Sequence, residues 1–224
     1  MDTLAQIRFV WKPLVFAACC LPAVLVVTDA TGITGGLGVN GVEDIQDRFG
    51  NWGLRFIMIA LAVTPLRQLT GRHWLGRFRR MLGLFAFFYV LMHFLTWLVL
   101  DQGLAWPAIR EDIFERPFIT FGFAALLVLT AMAATSTAGM RRRLGRHWQR
   151  LHYGVYLVGI LAVVHFWWQV RADIREPAVY AAVLACLLGY RLQRRLARSG
   201  RPRPRAHAPG RPAPGGPGAV ERAP

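Results

Sequence analysis

The sequence predicts an all-α membrane protein, a polytopic bundle of about six transmembrane helices. Of its 224 residues, 54% are hydrophobic and 17% are charged, whereas average soluble domains contain about 25% charged residues. The charged residues lie between long apolar stretches rather than within them. A formal charge of +15 could suit a nucleic-acid binder. Because the arginines flank apolar stretches, the sequence instead predicts contact with membrane lipid and no nucleic-acid partner.

Six stretches are apolar over about the 20 residues that a helix needs to cross the hydrocarbon core of a bilayer. They cover residues 10–28, 53–70, 81–100, 118–137, 151–169 and 177–192. The first stretch has no convincing cleavage motif after it, so we interpret it as a membrane helix rather than a signal peptide. The sixth stretch is the shortest of the set.

The charges of the loops predict the orientation of the chain. Segments 71–80, 138–150 and 191–205 contain four, five and seven arginines and no acidic residue, whereas ten of the twelve carboxylates lie in the three other loops. Basic loops mark the cytoplasmic side, so both termini are predicted to be cytoplasmic. Residues 1–195 then form a transmembrane domain. Residues 196–224, rich in Pro, Gly, Ala and Arg, are predicted to form a disordered basic cytoplasmic tail.

Two histidines lie deep in the predicted third and fifth spans, which run in the same direction. His93 follows Arg80 by 13 residues and His165 follows Arg150 by 15 residues, which places them at about 20 and 22 Å from the inner side. Ionisable residues at membrane depth are costly and indicate function. Two imidazoles at one depth are what axial ligation of haem iron requires, although histidines that bond neighbouring helices remain the alternative.

A third histidine, His152, opens the fifth span and lies about 20 Å below His165 along the helix axis. That separation would suit a second haem near the cytoplasmic side. The third span has no histidine at the corresponding depth, and on an ideal helix His152 and His165 point about 140° apart. We therefore predict His152 as a haem ligand whose partner would be His73, His147, an arginine or another group.

Several segments are similar to a known family. They are DIQDRFG, TPLR, RRMLGL, LMHFLTW, RPFITFG, ATSTAGMRRRLGRHWQRLHYGVYLV and VVHFWW, spread over about residues 10 to 195. On these segments the chain resembles the MsrQ (YedZ) family, the haem-binding membrane subunits of protein-methionine-sulfoxide reductase. That family belongs to the ferric-reductase-like transmembrane group.

The resemblance implies an electron-transfer subunit of an oxidoreductase complex in the bacterial inner membrane, with no catalytic residue of its own. Its implied cofactors are haem b, one or two per chain, and FMN. His93, His152 and His165 match the family's haem positions. Electrons would come from the quinone pool or a cytoplasmic flavin reductase. They would reach a periplasmic, molybdopterin-containing subunit of the MsrP type, which reduces methionine sulfoxide in oxidised proteins. The alternatives are a stand-alone ferric or cupric reductase and a non-redox membrane protein.

Overall fold

The computed structural model of the protein describes residues 3–170 and 172–199, and every regular element within these ranges is a helix. Five helical segments are long and apolar enough to cross a membrane. They are Ile7–Ala30, Gly41–Thr70, Arg79–Asp101, Pro117–Ala134 and Arg146–Gln169. The predicted fold class, an all-α protein with several membrane spans, is confirmed.

The described residues form ten α-helices joined by short connections. They are α1 (Thr3–Gln6), α2 (Lys12–Ala30), α3 (Gly41–Thr70), α4 (Arg79–Leu95), α5 (Trp106–Glu115), α6 (Pro117–Ala134), α7 (Ala138–Leu144), α8 (Arg146–His152), α9 (Gly154–Gln169) and α10 (Arg175–Ser199). Turns of π-helix at Ile7–Trp11 and Thr96–Asp101 join α1 to α2 and extend α4, and a 3₁₀ helix at His73–Arg77 precedes α4.

The sixth predicted span lies within α10, but it is not among the five long apolar segments. Its uncharged part runs from Pro177 to Tyr190 and covers only about 21 Å, less than the hydrocarbon thickness of about 30 Å. The helix continues through the arginines to Ser199, past the predicted domain boundary at 195. The remainder of the predicted tail, from 200 to 224, lies outside the described residues.

Four helices form the centre of the bundle. Helix α3 packs along α4, and α6 packs along α9. The two pairs meet where α4 contacts α6 and α3 contacts α9, while α2 and α10 pack on the outside of this core. Large apolar side chains such as Leu14, Phe16, Leu127 and Leu157 are about half exposed on the outer surface. An apolar exterior of this extent fits a lipid environment.

Helix α3 begins twelve residues before the predicted second span, because a polar segment is helical rather than a loop. The side chain of Asn40 accepts a hydrogen bond from the backbone N–H of Glu43 and thereby caps the helix. Acidic residues in the first turn suit the positive end of the helix dipole. Arg48 pairs with Asp44 on the same helix and with Asp29 at the end of α2. These contacts hold the extension of α3 against α2.

Side chains from neighbouring helices repair backbone hydrogen bonding near two prolines. Pro65 lies inside α3 and has no N–H to donate to the carbonyl of Leu61. A guanidinium N–H of Arg191 donates to that carbonyl instead. Near Pro22 in α2, the fully buried Tyr89 accepts from the N–H of Ala23 and donates to the carbonyl of Cys19. An uninterrupted helix would pair those two groups with each other. Both contacts tie outer helices to the core.

Candidate metal centre

The two membrane histidines predicted to act together face each other in the core of the bundle. Their imidazole ring centroids lie 6.1 Å apart, with the ring planes inclined at 82°. His93 stands near the end of α4, one turn before the π-helical segment, and His165 stands near the end of α9. The structure therefore brings together the pair that the depth calculation singled out.

Each of these rings forms a hydrogen bond through Nδ1 to a backbone carbonyl of a different helix. His93 bonds the carbonyl oxygen of Gln46 in α3 at 2.8 Å, and His165 bonds that of Phe118 in α6 at 2.6 Å. A carbonyl oxygen only accepts, so Nδ1 carries the proton and donates. The lone pair of each neutral ring is then on Nε2. This arrangement is the usual one for a metal-binding histidine, whose second nitrogen is held by a carbonyl or carboxylate.

A glycine one helical turn after each carbonyl leaves room for the ring. A Cβ atom placed on Gly50 would lie 2.9 Å from Nδ1 of His93, and one on Gly122 would lie 2.9 Å from Nδ1 of His165. Such distances are shorter than van der Waals contact. Neither glycine nor carbonyl was identified from the sequence. The sequence did contain a signal, because both carbonyl residues and both glycines lie in segments that carry the family resemblance, DIQDRFG and RPFITFG, and each glycine precedes its histidine by 43 residues.

Both histidines line one cavity of about 370 Å³, within the range of about 300–1,000 Å³ that is common for cofactor and ligand sites. Its walls come from α3, α4, α6 and α9, and aromatic side chains contribute much of them. The aromatic lining residues are Phe94, Trp97, Phe118, Phe123 and Phe166. Leucine, isoleucine, valine and alanine side chains supply the rest of the apolar lining. Flat apolar walls beside two imidazoles suit a planar aromatic macrocycle.

One end of the cavity is polar and lies near the predicted outer side of the membrane. Glu43 and Asp47 at the beginning of α3 and Asp101 after α4 bring negative charge there. Arg116, between α5 and α6, is the basic residue of the described lining, and it pairs with Asp112 at 3.2 Å. Helix α5 closes part of this end through Ile113, whose carbonyl accepts a hydrogen bond from the hydroxyl of Thr120.

The donor set fits haem iron better than a metal bound by protein alone. The two ring centroids are 6.1 Å apart, which leaves space for one metal ion to bind both imidazoles through metal–nitrogen bonds of about 2 Å. Among the residues that the structure describes, no group of three or more His, Cys, Asp or Glu side chains could hold a metal ion. A protein-only zinc site needs three or four ligands, whereas haem iron needs only the two axial ones.

The third predicted ligand, His152, does not belong to this cavity. It is the last residue of α8, and a turn at Tyr153 separates it from α9. Its Nδ1 bonds the carbonyl of Trp148 at 3.0 Å, and its ring stacks on the indole of the same residue with centroids 3.8 Å apart. The break at Tyr153 changes the angle between the side chains of His152 and His165 from the value expected for an ideal helix. It does not bring His152 into the lining of the cavity.

Comparison with known proteins places this helical bundle in a class. Residues 49–163 match the profile of the family described as "Ferric reductase like transmembrane component". A relative from Xanthomonas euvesicatoria is 51% identical over 189 residues, which is 83% of this chain and 87% of the relative. One from Bordetella pertussis is 48% identical over 183 residues, covering 81% and 88%. One from Xanthomonas oryzae is 56% identical over 160 residues, covering 71% and 73%.

All three relatives carry the name protein-methionine-sulfoxide reductase heme-binding subunit MsrQ. The chain belongs to the MsrQ family, within the ferric-reductase-like transmembrane proteins. No solved structure matches it.

Proposed function

We propose that this protein is a haem-binding electron-transfer subunit of a methionine-sulfoxide reductase, with one haem b held between His93 and His165. The observation that carries the proposal is the facing pair of imidazoles, each with Nδ1–H donated to a carbonyl and Nε2 free to bind a metal. The names of the relatives, which describe a heme-binding subunit, support it. When bound, the haem would supply a centre that accepts and releases one electron at a time.

The protein's own groups would hold and insulate that centre. The carbonyls of Gln46 and Phe118 fix the tautomer and the plane of each imidazole, and make Nε2 a stronger donor. Apolar side chains of the cavity keep water away from the ligands, and a dry site limits the change in solvation when charge arrives or leaves. Arg116, which pairs with Asp112, lies at the polar end of the cavity, where its guanidinium would bind a carboxylate of the cofactor.

We further propose that electrons leave on the outer side of a bacterial inner membrane. The helices α3 and α6, which supply the two carbonyls from their first two turns, both begin on the predicted outer side. A redox centre there shortens the final transfer to a periplasmic acceptor. The proposed acceptor is the molybdopterin-containing catalytic subunit of the MsrP type, and the proposed donor is the quinone pool or a flavin reductase. FMN stays a prediction from the family resemblance, and a second haem at His152 stays a prediction from its position along the fifth span and from that resemblance.

A redox-titrated absorption spectrum of the purified full-length protein, with haem quantified per chain, tests the proposal. The wild type should contain reducible haem b. His93→Ala and His165→Ala should each lose the haem of the cavity. His147→Ala, which alters a histidine of α8 outside the cavity, is the matched control and should retain it. His152→Ala should leave this haem in place. Wild-type protein that is folded but has no reducible haem would refute the proposal.

Reconstitution in membrane vesicles separates the proposed function from its alternative. With a quinol donor and an exported molybdenum-containing catalytic subunit, the wild type should support reduction of methionine sulfoxide, and His93→Ala should not. A stand-alone metal reductase would instead reduce ferric or cupric chelates at the same rate with and without that subunit. The second result would support the alternative function of the same cavity.

A further inference from the structure

We propose that Gly50 and Gly122 are positioning residues for the two imidazoles. Each glycine opens a gap in its helix into which a histidine ring of the neighbouring helix fits, with Nδ1–H held on the carbonyl one turn earlier. This inference rests on the proposed haem site. It goes beyond that site because two residues that touch neither iron nor substrate would control how the imidazoles are oriented and how basic their Nε2 atoms are.

The arrangement occurs twice, in two different pairs of helices. In α3 and α4, Gln46 supplies the carbonyl, Gly50 follows four residues later, and His93 is 47 residues after the carbonyl. In α6 and α9, the carbonyl of Phe118 is followed by Gly122 at the same interval, and His165 is again 47 residues after the carbonyl. Two occurrences with equal spacing around one cavity indicate a common requirement rather than a coincidence of packing.

The requirement is steric. In a helix the carbonyl of residue i is covered by the side chain and N–H of residue i+4. A Cβ on Gly50 would lie 2.9 Å from Nδ1 and 3.1 Å from Cε1 of His93. A Cβ on Gly122 would lie 2.9 Å from both Nδ1 and Cε1 of His165. The atoms in contact belong to rigid rings, so an alanine at either position forces the ring away from its carbonyl.

Moving a ring away from its carbonyl changes the properties of the ligand. The bond from Nδ1–H makes Nε2 more basic, and a more basic ligand favours the oxidised metal. A lengthened bond should therefore raise the midpoint potential. The angle of 82° between the rings should also change, and the anisotropy of the low-spin ferric EPR signal depends on that angle. Both effects are distinct from a loss of helix packing.

Two other glycines are packed as closely as Gly50 and Gly122 but against valine side chains rather than a histidine, and a third has open space around it. A Cβ on Gly53 of α3 would lie 2.8 Å from Cγ2 of Val90, and one on Gly154 of α9 would lie 2.9 Å from Cγ1 of Val128. A Cβ on Gly83 of α4 would meet nothing within 4 Å. Alanine at these three positions thus tests helix packing and helix composition without placing a Cβ against an imidazole. Gly154→Ala is the stricter of the two valine-facing controls, because Val90 itself lines the cavity and Val128 does not.

The experiment compares the five glycine-to-alanine variants in the purified full-length protein. Haem per chain, the ferric EPR spectrum, the midpoint potential and the thermal unfolding temperature are measured for each. Gly50→Ala and Gly122→Ala should lose the wild-type EPR g values, shift the midpoint potential upwards and retain less haem. Gly53→Ala and Gly154→Ala should lower only the unfolding temperature, and Gly83→Ala should behave as the wild type.

A second comparison covers the case in which Gly50→Ala does not fold. In a His93→Ala background the ring is absent, so adding Gly50→Ala should cause no further loss of folded protein. An equal loss in both backgrounds would overturn the inference, as would wild-type EPR and potential in Gly50→Ala and Gly122→Ala. Spectral changes of the same size in the valine-facing controls would overturn it too. A wild type without haem would instead refute the proposed function itself.

Discussion

Replacing Arg191 by methionine should destabilise the bundle because it leaves a backbone carbonyl without a donor. The carbonyl of Leu61 cannot be bonded by residue 65, which is proline, and the guanidinium of Arg191 supplies the missing N–H. The same guanidinium lies over the ring of Tyr156, 5.4 Å from its centroid. It therefore links α10 to both α3 and α9. Methionine retains much of the aliphatic length of the side chain but can donate no hydrogen bond.

The size of the effect follows from these two contacts. An unsatisfied buried carbonyl costs about 1–3 kcal/mol, and a cation–π contact at a partly exposed site contributes about 0.5–1 kcal/mol. Hydrogen bonds between membrane helices measure about 0.6 kcal/mol on average, with a maximum of about 1.7 kcal/mol. We therefore expect Arg191→Met to lower the free energy of unfolding by about 2 kcal/mol.

The assay is a double-mutant cycle with Pro65→Ala, measured by SDS or urea unfolding of the purified protein. Alanine at position 65 restores an N–H for the Leu61 carbonyl, so Arg191→Met should cost about 1 kcal/mol less in that background. Arg194→Met is the control, because Arg194 lies over the ring of Tyr190 at the same 5.4 Å and lies one turn further along α10. Equal losses for Arg191→Met in both backgrounds would refute the reasoning.

Three further predictions concern α2, the beginning of α3 and the cavity. Tyr89→Phe removes the hydroxyl that joins two backbone groups of α2, and it should lower the free energy of unfolding by about 1 kcal/mol; a variant as stable as the wild type would mean that α2 closes the gap by itself. Asn40→Ala removes the cap of α3. It should lower the free energy of unfolding by about 1 kcal/mol and speed amide hydrogen exchange in the first turn of α3, whereas Asn40→Asp should do neither. Equal exchange rates in the two variants would argue against the cap. Asp47→Asn removes a negative charge from the polar end of the cavity. It should raise the midpoint potential of a bound haem by roughly tens of millivolts at an effective dielectric constant of about 20. A lowered potential in the redox titration would contradict this electrostatic argument.

The histidine pair shows how far linear reasoning reaches. A helix rises by a constant distance per residue, so counting from Arg80 and Arg150 was enough to place His93 and His165 at one depth. The structure brings these two residues together. The same count placed His152 near the inner side, but it could not say which side chain lies beside it. That neighbour is the indole of Trp148, one turn earlier in the same helix.

The extension of α3 illustrates a limit of composition. The segment 41–52 contains Glu43, Asp44, Asp47 and Arg48, so it was assigned to a loop outside the membrane. It is helical because Asn40 caps it and because Arg48 neutralises carboxylates of α3 and α2. This extension carries the carbonyl of Gln46 to His93. A hydropathy pattern records only whether a segment can enter lipid, and it does not record whether a polar segment is helical.

The sequence by itself determined the membrane-spanning fold class and the pairing of the two histidines, because these depend on composition and on distance along a helix. Only the tertiary structure decided which way each ring faces, which carbonyl holds it and which glycine makes room for it. These features depend on the rotation and sideways packing of α3, α4, α6 and α9. Residues 47 positions apart, such as Gln46 and His93, meet only after the helices have packed. The pairing of Arg191 with the Leu61 carbonyl is of the same kind, since a proline in one helix is compensated by a side chain from another.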